Sequence, residues 1–386
     1  MNDDNLGASG MNRRNFLTSA IYSAALLTLP SLPARAQDGS RRIVIGQTAD
    51  LSGSMQNIGR DYFTGAKLVF DQANAGSGPS FGHIRFVQID DAGNPATAVA
   101  NTRQLLEEER ADLLFGLTSE ACVEAVTTSP AFRASDVCLF APVTGIDHPG
   151  GKGRVVYLRP NYVDEMNTII GRLTDLSLTR FALIHTSSDS VVAARNAILG
   201  GLQGRLTADA ILPLALQNGA ANIASLIDRM SKAQTQAAIF LGDSITTAQA
   251  IKQIRARMPV LFICLSSTVD AVLVRQMLNP RLAQGLMVSR VVPDPDNGII
   301  PVVQDFKRAQ KKYLDETLSP AGLEGFIAAQ ALLSILRKGD NPRNLVSTAQ
   351  RRVGMLDLGG WKVNLAANRA STRIEIAMIS TDGRLI

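Results

Sequence analysis

The sequence holds little of what catalytic and nucleic-acid sites usually need: three histidines, three cysteines, one tryptophan and five tyrosines in 386 residues. His83 and His148 have no partner at metal-ligand spacing, which excludes the common zinc motifs. His185 ends an apolar strand-like run and reads as a satisfied core histidine. There is no nucleophile elbow and no phosphate loop. Gly150-Gly151-Lys152-Gly153 lacks the Ser or Thr such a loop requires, and the glycines at 200, 201 and 204 close a helical run. No enzyme activity, cofactor or metal is therefore expected. The net charge of +5 is diffuse, with Arg351-Arg352 and Lys311-Lys312 as its densest clusters. A basic face interleaved with stacking aromatics, which nucleic acid demands, is missing.

Long hydrophobic runs are also scarce. The run from Ala20 to Leu32 is shorter than the ~20 residues of a spanning helix. Asn12-Arg13-Arg14-Asn15-Phe16-Leu17 precedes it and Ala34-Arg35-Ala36 follows. Arginine pair, apolar run and small-x-small site in that order predict a twin-arginine signal peptide over residues 1–36, removed near Gln37. Passage through the twin-arginine translocase and release into the periplasm are expected. No cysteine follows the cleavage site, so no lipid anchor is expected. In an oxidising compartment an odd cysteine count cannot be fully paired. Cys122, Cys138 and Cys264 read as small buried hydrophobes, with a Cys122 to Cys138 bridge as the alternative.

What the chain does have is a repeated strand, polar turn and helix. Arg42 to Gln47 is strand-like, followed by Leu51-Ser52-Gly53-Ser54 and an amphipathic run from Ile58 to Ala75. Ile84 to Ile89 leads through Asp90-Asp91 and Pro95 to a second helix carrying Ala98, Val99, Thr102, Leu105 and Leu106. Ala111 to Phe115 runs into Gly116-Leu117-Thr118-Ser119, with a helix from Glu120, and Val137 to Ala141 ends in Pro142-Val143-Thr144-Gly145. A second series follows: Arg180 to His185 before Ser190, Ala237 to Leu241 before Gly242-Asp243-Ser244, and Val260 to Leu265 before Ser266. Strands joined by crossover helices require parallel sheets. About 350 residues suit two such α/β domains with a cleft between their polar edges.

These residues, in this order, resemble the leucine/isoleucine/valine-binding protein family of the type I periplasmic binding protein fold. The markers are Gly46, Leu51-Ser52-Gly53, Gly65-Ala66, Asn74-Ala75-Gly76, Asp90-Asp91 with Pro95, and Ala98 to Asn101. They continue with Gly116, Thr118-Ser119, Pro142, Thr144-Gly145, Tyr157 to Pro160, Tyr162, Asp164-Glu165, Glu324-Gly325-Phe326, Ala328-Ala329 and Trp361. The resemblance implies two Rossmann-like three-layer lobes joined by a three-strand hinge, residues 42–158 plus 288–372 and residues 159–287 plus 373–386. It implies a monomeric substrate-binding protein that closes on a small-molecule ligand and is read by the permease subunits of an ABC importer. A periplasmic sensor that presents its closed form to a membrane receptor is the alternative.

By the same resemblance, ligand contacts are expected at Ser52, Ile58, Thr118, Ser119, Glu120, Val143, Thr144, Tyr162, Ser190, Asp243, Ser244 and Ser266. Several have a plain structural reading beside it, Ser119 and Asp243 as helix caps and Tyr162 as hinge packing. Arg159 and Asp164 read as a structural pair. Amino-acid-binding relatives place a serine where Glu120 stands, and it contacts the ligand carboxylate. An acid there repels an anion, so the expected solute presents an amine, amide or hydroxyl. Ile58 replaces an aromatic wall, and the serines at 190, 244 and 266 fall near two tyrosines and the glutamate that recognises an α-amino group in those relatives. Their disulfide between the turns holding Gly93 and Ser119 is absent here.

Overall fold

The computed structural model describes residues 42–75, 82–186, 189–204, 210–217, 219–296, 298–313, 318–339 and 341–386, without the side chains of 189, 190 and 313. Residues 1–36, expected to be a signal peptide, and the side chain of Ser190 lie outside the described residues.

The chain opens with β1 (Arg42–Ala49), α1 (Gln56–Asn74), β2 (His83–Asp90), α2 (Pro95–Glu107), β3 (Leu113–Phe115), α3 (Glu120–Thr128), α4 (Pro130–Ala134), β4 (Leu139–Phe140) and β5 (Val155–Val156). The five strands form one parallel sheet in the order β2-β1-β3-β4-β5. Alternation along β1 sends Ile43 and Ile45 to one face and Val44 to the other. Asn94 and Ser119 cap α2 and α3 by accepting from Thr97 and Cys122 N–H groups, which is why Pro95 and Glu120 begin helices.

A second unit follows with α5 (Tyr162–Asp175), β6 (Phe181–Thr186), α6 (Asp189–Leu202), β7 (Ile211–Leu216), α7 (Ala220–Lys232), β8 (Ala237–Leu241), α8 (Ser244–Arg257), β9 (Phe262–Leu265), α9 (Ala271–Met277), α10 (Pro280–Ala283) and β10 (Met287–Arg290). The chain then continues through α11 (Pro301–Tyr313), α12 (Pro320–Leu336), α13 (Leu345–Thr348), β11 (Met355–Asp357), β12 (Lys362–Asn364) and β13 (Glu375–Met378). The second sheet runs β13-β10-β9-β8-β6-β7, parallel except for the antiparallel β13. The result is a two-lobed α/β fold with helices on both faces of each sheet.

Strand β7 has no counterpart in the sequence reading, because Pro213 interrupts its run. Among the described residues the strand pairs with β6 alone, Pro213 opposite Leu183, and an edge strand tolerates the missing N–H. β10 stays in the second sheet, so the chain leaves that sheet after Arg290 and not at 288.

α11 and α12 return to the first lobe, where Phe306 and Phe326 join Tyr62, Phe70, Phe115 and Phe140 in one core. α1 meets α12 backbone to backbone. A Cβ on Gly65 would lie 1.8 Å from the Gly322 carbonyl oxygen, and one on Gly325 would lie 2.0 Å from that of Tyr62. That close approach accounts physically for two of the glycines that carry the family resemblance.

Where the chain passes between the sheets, Ala370 and Ser371 N–H donate to Tyr157 and Leu158 carbonyls. Buried Arg369 holds this crossing: it donates to the carbonyls of Thr144 and Arg159 and to Asp147, and its guanidinium sits 4.5 Å from the Tyr157 ring centre. Arg159 does not pair with Asp164, which is held by Asn161 at the start of α5. Arg159 instead donates to Ser267 at 3.0 Å and lies 3.5 Å from Glu324. Burial alone would lower the Arg159 pKa, but Glu324, helped by Tyr162, Glu165 and Glu120, more than reverses that and keeps it charged. All three cysteines are free and buried, so the bridged alternative does not hold.

Candidate functional site

Both sheets change winding direction beside their first strand, where loops diverge at the strands' carboxyl ends and leave a crevice. In the first lobe this point lies between β1 and β3, in the second between β6 and β8. The two crevices share one cavity of about 440 Å³, within the size range of small-molecule sites. Gly53 to Ile58, Thr118, Glu120 and Tyr162 line one side; Thr186, Val191, Ala194, Leu216, Gln217, Gly242 to Thr246, Thr268, Asp270 and Leu273 line the other.

The first wall rests on Asp50, whose carboxylate accepts from Gly53 N–H at 2.5 Å and Met55 N–H at 2.9 Å, folding the turn before α1. Asp50 N–H donates to the Thr118 hydroxyl at 3.1 Å, joining this turn to the next. α1 itself begins without a side-chain cap, so its first turn reaches the cavity with Gln56 and Asn57.

Glu120 is buried and heavily engaged. Its carboxylate accepts from the Thr144 and Tyr162 hydroxyls and from Gly145 N–H at 3.4 Å, with His148 Nε2 3.5 Å away. Thr144 in turn accepts from Ile146 N–H. Burial first, and then the Glu120 carboxylate, hold the Tyr162 hydroxyl well above the usual tyrosine pKa, so it is a proton donor in this pair.

The opposite wall is made of helix caps. Asp243 Oδ1 accepts from Thr246 N–H at 2.7 Å at the start of α8, and Asp270 Oδ1 accepts from Val272 and Leu273 N–H at the start of α9. Ser244 accepts from Asp270 N–H at 2.8 Å, and Thr268 from Gly242 N–H at 3.0 Å. Gly242 has φ of +104°, and a Cβ there would meet the Thr186 hydroxyl at 2.1 Å, so only glycine fits. Glu165 takes no part: both its oxygens accept from Ser267.

Of the residues named from sequence, the cavity brings together Ile58, Thr118, Glu120, Tyr162, Asp243 and Ser244. Ser52 is exposed and bonded to Asp90. Ser119 caps α3, Thr144 supports Glu120, and Ser266 pairs with Thr268 at 2.7 Å. Val143 lines a smaller neighbouring cavity of about 110 Å³ that also holds Arg159, Ser289 and Glu324. Sequence reasoning missed Gln56, Asn57, Thr186, Thr268, Asp270 and the Leu216-Gln217 pair. Thr268 and Asp270 belong to the polar turn that supplied Ser266, and Asp270, standing just before α9, carried a readable cap signal. Gln217 was hidden with β7.

Residues 42–384 match the family described as periplasmic binding protein. An extracellular ligand-binding receptor from Verminephrobacter eiseniae shares 18% identity over 89% of this chain and 99% of its own, with TM-score 0.81. A substrate-binding periplasmic protein from Ralstonia solanacearum shares 25% identity over 89% and 99%, TM-score 0.77. The branched-chain amino acid transporter substrate-binding protein LivJ from Streptococcus pneumoniae, in complex with isoleucine, shares 15% over 89% and 98%, TM-score 0.74. Among curated protein sequences none matches.

Proposed function

Since the chain belongs to the periplasmic binding protein family, a family of substrate-binding proteins, not of enzymes, we propose that it captures a small polar solute between its lobes for an ABC importer. The observation that carries this reading is the 440 Å³ cavity walled by the switch points of both sheets. Solute contacts to both walls exist together only when the lobes are closed, so binding shifts the population toward closure. The permease subunits of the importer then read the closed form. The crossings around 157–161, 291–296 and 365–374 serve as the hinge, which restricts motion to opening and closing. Export through the twin-arginine translocase, cleavage near Gln37 and a free monomer in the periplasm complete the proposal.

Thermal-shift measurements on the chain from Gln37 onward test it, using amino acids, amides, urea derivatives, amines and sugars. A solute that binds only the folded form raises the melting temperature with its concentration. At least one small polar compound is expected to do so and to contract the protein in small-angle scattering. Binding without contraction would remove the closure mechanism.

A further inference from the structure

Resting on that reading, we propose that the solute is a small cation without a carboxylate: an amine, amidine or guanidine on an apolar body. Three carboxylates, Glu120, Asp243 and Asp270, line the cavity, and among the described residues no lysine, arginine or histidine does. Helix starts ordinarily invite anions. Here α3, α8 and α9 meet the cavity with a carboxylate of the chain already seated in their cap or first turn.

The acids differ in availability. Glu120 is occupied by Thr144, Tyr162 and Gly145. Asp243 and Asp270 each use Oδ1 for their caps, and among the described residues Oδ2 of neither accepts a hydrogen bond. Two acceptor oxygens on one wall are suited to an ammonium or guanidinium group.

A solute carboxylate, by contrast, finds no counter-charge among the described lining residues. The buried guanidinium of Arg159 lies in the neighbouring cavity and is already engaged by Ser267 and Glu324. Ile58, Val191, Leu216 and Leu273 supply apolar wall for the rest of the solute, and the uncapped start of α1 accepts a neutral oxygen if the solute carries one.

The test is calorimetric titration of the chain from Gln37 with four compounds that share an isobutyl group in cationic, neutral, anionic and zwitterionic form: 3-methylbutylamine, isovaleramide, isovalerate and leucine. Agmatine against arginine forms a second pair. The expected result is that an amine or agmatine binds and that its carboxylated counterpart binds at least about tenfold more weakly. Asp243→Asn is expected to weaken the cation by about tenfold. Because Asp243 also caps α8, Gln217→Lys provides an independent variant: Gln217 is exposed on the cavity rim and caps nothing with its side chain. Gln217→Lys is expected to weaken the cation and Gln217→Glu to leave it as tight or tighter, with unliganded melting temperatures unchanged. Tightest binding by isovaleramide, isovalerate, leucine or arginine overturns the cation assignment and leaves the solute-binding reading standing. No binding by any of these compounds, nor by the broader thermal-shift panel, counts against both.

Discussion

The Tyr162 hydroxyl, at the start of α5 in the second lobe, donates to the Glu120 carboxylate at the start of α3 in the first. Both groups are buried, so the bond joins the lobes at the inner end of the cleft and orients the turn carrying Thr144. Removing the hydroxyl leaves a buried carboxylate one donor short. Tyr162→Phe is therefore expected to cost about 1–3 kcal/mol of stability, measured by urea denaturation. A double-mutant cycle with Glu120→Gln should show coupling, and fully additive losses would mean that the two groups do not act as a pair.

Alkaline pH should destabilise the fold. Burial, with Glu324 adding to it, holds the Tyr62 hydroxyl well above the ordinary tyrosine value, and Tyr162 is held likewise. Burial also pushes the thiols of Cys122 and Cys264 up to about 12. All these groups keep their protons longer folded than unfolded, so above their unfolded values the unfolded chain holds fewer protons. Stability is then complete below about pH 8.5, falls first through the thiols and then, beyond about pH 10, through the tyrosines. Denaturation midpoints measured from pH 8 to 11 check the slope; a flat profile would falsify the assignment.

The thiols offer a separate probe. Cys122, Cys138 and Cys264 are 0%, 4% and 1% exposed, and burial disfavours the reactive thiolate in each. Native protein is expected to be silent toward a thiol-titrating disulfide reagent, whereas guanidinium-unfolded protein should release three equivalents without any reductant. Fewer than three would indicate a bridge.

Two glycine substitutions on similar helices should behave oppositely. Gly65→Ala forces α1 away from Gly322 of α12, and no side chain is there to yield. The expected loss is about 1–3 kcal/mol or more. Gly200 sits in α6 with nothing near its would-be Cβ, so Gly200→Ala should be neutral or stabilise by about 0.5–1 kcal/mol. Melting temperatures of the two variants compare them directly. Equal effects would mean that the α1–α12 approach is looser than described.

Much of the fold was legible because it is written locally. Period-2 runs ending in Ser, Thr or Asp, then helical spacing, depend on residues a few positions apart. Ser119 and Asp243 were readable as caps for that reason, whereas the six cavity residues named from sequence came from the family resemblance. Pro213 concealed β7 because a proline is tolerated only at an edge, and edge position is a property of the assembled sheet. The fate of Glu120 was equally out of reach of local reading: its donors Thr144 and Tyr162 lie 24 and 42 residues away in the chain. Sequence alone thus determined the alternation of strands and helices, the polar turns at the strand ends and the scarcity of catalytic chemistry. Only the tertiary structure decided which of those turns share a cavity, which carboxylate is spent within the protein and which two have an oxygen without a hydrogen bond among the described residues, because those outcomes depend on contacts between distant segments that no local period encodes.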